Sequence, residues 1–419
     1  MAETTARVRS LSAAGALATP GQEDVLRGVA NQTAAPTAGR DLLSPSQRTL
    51  LSLLASHATG PFAAQPDWAE LAALAQRLWL EPRLAARVAD DPRIPTELRA
   101  RWLDARRSTA ARNLLFQSEE KRLLEALAQA GMEAVPLKGT SLARILGDPA
   151  ARPVTDIDLG VRVADVGRAA QALRDDGYQV ALPDALLRRP QFLASTDEYT
   201  SEIKCARDRA GSRLVVEVHW KWLPLPEELI WSSLRVYEPA GVRTLSVEQY
   251  FLFLCSHAAG GGWAGLRWLC DICEWLAALG SSMDTALCLW LARQAGLRRA
   301  AGITLALLDD FFAFRLPGLE PLRDGRARRE AKRYHLRPFQ PFLTGTVTGI
   351  HRDRLRIQDD TARRVAYAAR LLLPTFQEWL DHDGRLRPAA AAWALRAGRL
   401  AKLSFAAVRP STPSAEAQR

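Results

Sequence analysis

Asp156-Ile157-Asp158 is the segment of this sequence with the clearest chemical content. In an extended strand side chains alternate between faces, so the two carboxylates share one side while Ile157 and Leu159 take the other. Neighbouring carboxylates repel unless a cation sits between them. Mg²⁺ is the hard ion that takes carboxylate oxygens together with phosphate oxygens. A third acid stands in a second extended run, Leu214 to Trp220, where Glu217 and His219 share a face and Val216 and Val218 take the other. Glu217 is placed to be a metal ligand or the base that deprotonates an attacking hydroxyl. Upstream, Lys138-Gly139-Thr140-Ser141 lies where a short apolar run gives way to a helical pattern. Gly139 lets the backbone N–H groups of Thr140 and Ser141 approach a phosphate, and the helix start adds its positive end. A phosphate cradle beside metal-binding carboxylates describes a phosphoryl-transfer site.

Other residues have weaker claims. Lys138 either contacts phosphate or only caps its strand. Arg152, just before the acidic strand, suits bidentate phosphate binding. His219 and His257 read as structural hydrogen-bonders. Arg267 and Asp271 stand at i and i+4 and can pair on one helix, the alternative being that Arg267 reaches a phosphate. Cys270 and Cys273 fall inside an apolar helical pattern and read as core. Gly261 stands four residues after His257, so no histidine pair for zinc exists there.

The elements that must position these residues follow from periodicity. Val154 to Val163 and Arg213 to Trp222 predict strands, and Val166 to Asp176 a helix closed by Gly177. A helical pattern runs from Pro95 to Gly131. The expected fold is α+β, a small mixed sheet flanked by helices. The expected layout is a leader (1–40), an N-terminal helical segment (41–129), an α/β core (130–240), a C-terminal helical domain (241–403) and a polar tail (404–419). Gly260-Gly261-Gly262 predicts a helix break at the edge of a cleft that the helical domain forms over the site. Trp263, Trp268 and Trp275 are the aromatic candidates for the acceptor side.

Composition excludes several classes. A length of 419 residues suggests two or three domains. With 48% hydrophobic and 24% charged residues, the chain is neither disordered throughout nor a disulfide miniature. Five scattered cysteines fit a reducing compartment, and no apolar run reaches the ~20 residues of a membrane span. A cytoplasmic protein is expected. The net charge of +10 is carried by 56 Lys+Arg, of which only six are Lys, leaving 56 − 6 = 50 Arg. Such lopsided usage reads as genome composition more than a nucleic-acid face, and no recognition module accompanies it. The densest basic stretch, Arg323 to Arg337, is either a solvated face or a contact for polyphosphate or an acidic acceptor.

Gly139-Thr140, Asp156-Ile157-Asp158 and Glu217 together resemble the nucleotidyltransferase superfamily related to DNA polymerase beta. More narrowly, four blocks resemble a family of uncharacterised bacterial nucleotidyltransferases often found beside peptide-modification or exopolysaccharide genes. They are Leu137 to Leu159, Glu217 to Trp220, a helical block in two pieces (Leu254 to His257 and Trp263 to Ile272), and Pro374 to Trp379. The resemblance implies Mg²⁺-dependent transfer of a nucleoside monophosphate from an NTP to an acceptor hydroxyl or phosphate. Asp156, Asp158 and Glu217 would be catalytic and hold two Mg²⁺, with Mn²⁺ as the substitute. Lys138, Gly139, Thr140, Ser141 and Arg152 would bind the nucleotide. The alternative is a catalytically silent, nucleotide-binding regulator or scaffold of a biosynthetic cluster. Acceptor, base preference and oligomeric state are left open.

Overall fold

The structure is a computed structural model that describes residues 42–55, 66–88, 91–182, 201–209, 211–340, 347–374, 376–379 and 387–408. The expected leader and the last residues of the expected tail lie outside them. The described residues open with helices α1 (Pro45–Leu54), α2 (Trp68–Arg77), α3 (Glu81–Val88) and α4 (Thr96–Gln129). Sequence explains their starts. Ser44 and Gln47 form a reciprocal capping box ahead of Pro45, and Asp67 accepts from Glu70 N at 2.9 Å.

A five-stranded sheet follows, ordered β1-β2-β5-β4-β3: β1 (Ala134–Pro136), β2 (Ile157–Val161), β3 (Gln179–Val180), β4 (Glu202–Arg209) and β5 (Ser212–His219). β2 and β5 run parallel, and the other neighbours are antiparallel, so the sheet is mixed as expected. The acidic strand is shorter than its sequence pattern, beginning at Ile157 rather than Val154. Between the strands lie α5 (Thr140–Ile145) and α6 (Val166–Asp175), and after them come α7 (Glu227–Trp231), α8 (Val247–Gly260) and α9 (Leu266–Leu279). Helices α10 (Thr285–Ala295), α11 (Arg298–Phe312), α12 (Gly325–Ala331) and α13 (Val347–Ile357) continue the chain. The expected strand–helix alternation is therefore present. No described helix is long and apolar enough to cross a membrane.

Two cores hold this arrangement. One joins α1–α3 to α8–α11 around Trp102, Tyr250, Trp263 and Trp275. The other lies under the sheet, where Ile157, Leu159, Val216, Val218, Ile203 and Cys205 project from β2, β5 and β4. The alternate residues of those strands are left for the opposite face, which is the face of the site.

α4 spans 34 residues, roughly 50 Å at 1.5 Å per residue, and serves both cores. Leu98 and Trp102 enter the first; Phe116, Leu123 and Leu127 enter the second. Three buried polar residues between them tie the site loops to this axis. Asn113 donates to the carbonyls of Pro149 and Arg152 at 2.6 and 2.8 Å, holding the approach to β2. Glu120 accepts from Thr140 Oγ1 at 2.7 Å and Ser141 Oγ at 2.6 Å, holding the start of α5. Glu119 accepts from Tyr178 Oη, Arg122 and Arg207 at 2.6, 2.6 and 2.7 Å, tying β4 down.

Glu119 yields a pH prediction. Burial alone would raise its pKa, but the hydrogen bonds from Arg122 and Tyr178 outweigh burial and lower it to about 2. A carboxylate with a depressed folded pKa adds stability that is full above its unfolded value, and that stability fades as pH falls through the folded value. Glu119→Gln should therefore cost about 3 kcal/mol near neutral pH, the scale for breaking a buried ion pair. In urea melts the gap from wild type should be largest above about pH 4.5 and close toward pH 2. A pH-independent gap would contradict the assignment.

Candidate active site

Asp158 and Glu217 are register partners on the parallel strands β2 and β5. Alternation carries each carboxylate to the face opposite the sheet core, and His219 follows Glu217 on that face. One donor atom from each of Asp158, Glu217 and His219 lies within 4.8 Å of the others. His219 Nε2 sits 3.0 Å from Asp158 Oδ1 and 3.6 Å from Glu217 Oε2. The next position of β2 on this face is Gly160, opposite His219. A Cβ there would stand 2.7 Å from the Trp222 ring, so the missing side chain is what lets Trp222 cover that end of the site.

Two of the six lysines in the chain neutralise these acids. Lys138, just after β1, places Nζ 2.6 Å from Asp158 Oδ1. Lys204 on β4 faces Glu217 in register, with Nζ 2.6 Å from Oε1. Burial opposes charge on Lys138, but Asp158, Asp156 and Glu217 outweigh it and hold the ammonium protonated. Burial would also raise the pKa of Asp158, yet Lys138 and His219 keep it well below the usual carboxylate range. His219, despite burial, is pushed up to about 9 by Asp158 and Glu217. Asp156 shifts the other way, raised first by burial, with Asp158 and Glu217 adding to it against Lys138. It precedes the strand and stays outside the three-donor cluster while facing the same charges.

These residues fit a divalent cation. Asp158 Oδ2 is fully buried and without a hydrogen-bond partner, a costly arrangement for a carboxylate oxygen unless a cation serves it. His219, held protonated here, would have to shed its proton to add a nitrogen donor, one that Mn²⁺ accepts more readily than Mg²⁺.

Above the cluster opens a cleft of about 350 Å³. Lys138, Arg152, Asp156, Lys204, Glu217 and His219 form its sheet side; Phe253, His257, Arg267, Trp268, Arg337 and Arg354 form its helical side. Burial and then Lys138 hold His257 down to about 3, so it is a neutral ring, packed on Trp268 at 5.0 Å. A larger cavity, about 460 Å³ between α13 and the helices after it, is lined by leucines, arginines and His351. Its described lining holds no carboxylate, so it offers no comparable metal chemistry.

The sequence-derived candidates fare unevenly. Lys138, Asp156, Asp158 and Glu217 come together. Gly139, Thr140 and Ser141 are buried and do not line the cleft, and the two hydroxyls are committed to Glu120. Gly139 has φ +73°, and a Cβ there would meet Asp156 O at 3.2 Å, so glycine at this position fits the loop against the acidic strand. Arg152 lines the cleft, but its Nε binds Asp271 Oδ2 at 2.9 Å. Asp271 also takes Arg83 at 2.6 Å, so the expected Arg267–Asp271 pair is absent. Trp263 and Trp275 are core residues, which leaves Trp268 as the one of the three at the cleft. The triple glycine does end α8, and Gly260 and Gly261 line the cleft. Within the basic stretch Arg323 pairs with Asp309 and Arg333 with Glu330, and Arg337 is the one that lines the cleft. Lys204, Asn113, Glu119 and Glu120 were missed. Each is a polar residue whose role depends on partners far along the chain.

A family model described as an uncharacterised nucleotidyltransferase matches residues 64–313, well over half of the chain. The chain belongs to this family. The match runs from α2 through α11 and so contains the whole sheet, the acidic cluster and most of the cleft. Membership indicates nucleotidyl transfer in general terms and implies an NTP as substrate. No curated protein and no solved structure matches the chain.

Proposed function

We propose that the chain moves a nucleoside monophosphate from an NTP to an acceptor hydroxyl or phosphate, in a reaction that needs Mg²⁺ or Mn²⁺. The observation that carries this reading is the orphaned oxygen of Asp158, buried opposite Glu217 beneath a cleft walled by cations. Asp158 and Glu217 would hold the ion, with Asp156 and His219 beside them. A bound divalent ion would supply charge stabilisation at the α-phosphate and align the triphosphate. The acceptor oxygen attacks the α-phosphorus, the bond to the β-phosphate breaks, and pyrophosphate leaves. Glu217, whose pKa is held near 2, accepts the acceptor proton only transiently; Asp156, with its raised pKa, is the better-matched base. Lys138 and Arg152 contribute positive charge where the leaving pyrophosphate gathers negative charge. The helical side offers Trp268 and Phe253 to a base or acceptor ring.

One observation favours the silent-binder reading. Lys138 and Lys204 already neutralise Asp158 and Glu217, so binding an ion requires at least Lys138 to swing away. Pyrophosphate release decides between the readings. Each of the four NTPs is incubated with the protein, Mg²⁺ or Mn²⁺, and a small-molecule and peptide extract. Metal-dependent pyrophosphate release matched by NMP label on an extract component supports transfer. NTP binding without either signal supports the silent binder.

A further inference from the structure

Arg267 is a cation at this cleft that has no ion-pair partner among the described residues. It stands one helical turn before Asp271 on α9, where an intrahelical pair would form. Both oxygens of Asp271 are taken instead, Oδ1 by Arg83 and Oδ2 by Arg152. Among the described residues no carboxylate lies within ion-pair distance of Arg267, although it is half-buried and lines the cleft. Its contact is a ring: the guanidinium lies 5.3 Å from the centroid of Trp79. Trp79 holds a left-handed backbone, φ 61°, in the turn between α2 and α3, a conformation costly for a large side chain. A strained, partly exposed tryptophan thus supports an unpaired cation at the mouth of a phosphate-transfer cleft. Burial, and then repulsion from Arg152, lowers its pKa below the usual guanidinium value, so a negative ligand would relieve both.

We propose that Arg267 anchors a phosphate group of the substrate, binding it from the helical side of the cleft opposite the acidic cluster, with Trp79 as its positioning residue. The proposal rests on the nucleotidyl-transfer reading and names a residue that reading does not require.

Full-length protein is titrated with tripolyphosphate, orthophosphate and a non-hydrolysable ATP analogue with Mg²⁺, followed by calorimetry. Arg267→Gln should weaken phosphate-probe binding about tenfold or more, and Arg267→Lys, which keeps the charge but not the fork, by less. Loss of tripolyphosphate and ATP-analogue binding together assigns the site to the NTP tail. Loss of orthophosphate binding with the ATP analogue unaffected assigns it to a phosphorylated acceptor. Trp79→Leu should weaken the same probe and Trp79→Phe restore it, which a purely structural role would not produce. Ligand-free Arg267→Gln should melt at or above the wild-type temperature, since it removes an unpaired charge. A lower melting temperature, or unchanged affinity for all three probes, overturns the proposal. If wild type binds the ATP analogue and Arg267→Gln binds all three probes equally well, the nucleotidyl-transfer reading survives and this one falls. If wild type binds none of the probes, both fall.

Discussion

Asp158→Asn should lower NMP transfer by about 10³-fold, roughly 4 kcal/mol of barrier at ~1.4 kcal/mol per decade. The substitution keeps the shape of the side chain and its fit between Lys138 and His219. It removes the charge that makes the buried oxygen a cation ligand, so positioning and charge stabilisation of the triphosphate fail together. KM for the NTP should change much less than kcat, because Arg152 and Lys138 remain on the cleft wall. The same variant should keep its fold. Lys138 still faces the carboxylates of Asp156 and Glu217, both of which already contribute to holding it charged. Single-turnover rates measured beside a urea melt separate the two effects. A rate within tenfold of wild type, with the fold intact, would remove Asp158 from the mechanism.

The largest stability effect is expected at Asp271. It is buried and ties three parts of the chain together: Arg83 from α3, Arg152 from the loop before β2, and its own helix α9. Burial would raise its pKa, and the two arginines hold it below the ordinary carboxylate value. Asp271→Ala strands two buried guanidinium groups, and breaking such a network by removing one partner costs about 3–5 kcal/mol. Arg83 retains Glu274 at 2.9 Å, whereas Asp271 supplies the sole ion pair of Arg152 among the described residues. Arg152 should therefore be the residue that moves, and NTP affinity should fall along with stability. Denaturation midpoints and NTP affinity measured on Asp271→Ala and Arg83→Met test this. Arg83→Met, which leaves the Arg152 pair standing, should lose stability without the affinity loss. Equal affinity loss in both would contradict the division of labour.

The acid-bearing face of the sheet was readable because a strand's period is short and strict. Asp156-Ile157-Asp158 and Glu217-Val218-His219 each alternate acid and hydrophobe, and one buried face dictates the direction of the other. The helices came from 3.6-residue periodicity, and Gly131 marks one stop directly. β4 was not legible. Its inward residues are only Ile203 and Cys205, while Glu202, Lys204, Arg207 and Asp208 make it read as a loop. Lys204 was lost with it. The side-chain partner of Thr140 and Ser141 was not legible, because Glu120, about twenty residues upstream, accepts from both hydroxyls and local pattern carries no record of such a partner. The Arg267–Asp271 pair was expected from helical spacing alone. A partner from α3 and another from the β2 approach outbid it, which only tertiary contact decides.

The most direct test of the central claim is binding of Mn²⁺, followed by electron paramagnetic resonance, with a non-hydrolysable NTP analogue present. Mn²⁺ reports the site without any need for the acceptor. Wild-type protein should bind the ion with the nucleotide, and Asp158→Asn and Glu217→Gln should each weaken that binding about tenfold or more, the scale on which metal-site changes act. Equal Mn²⁺ binding by wild type and both variants would place the ion elsewhere and contradict the account.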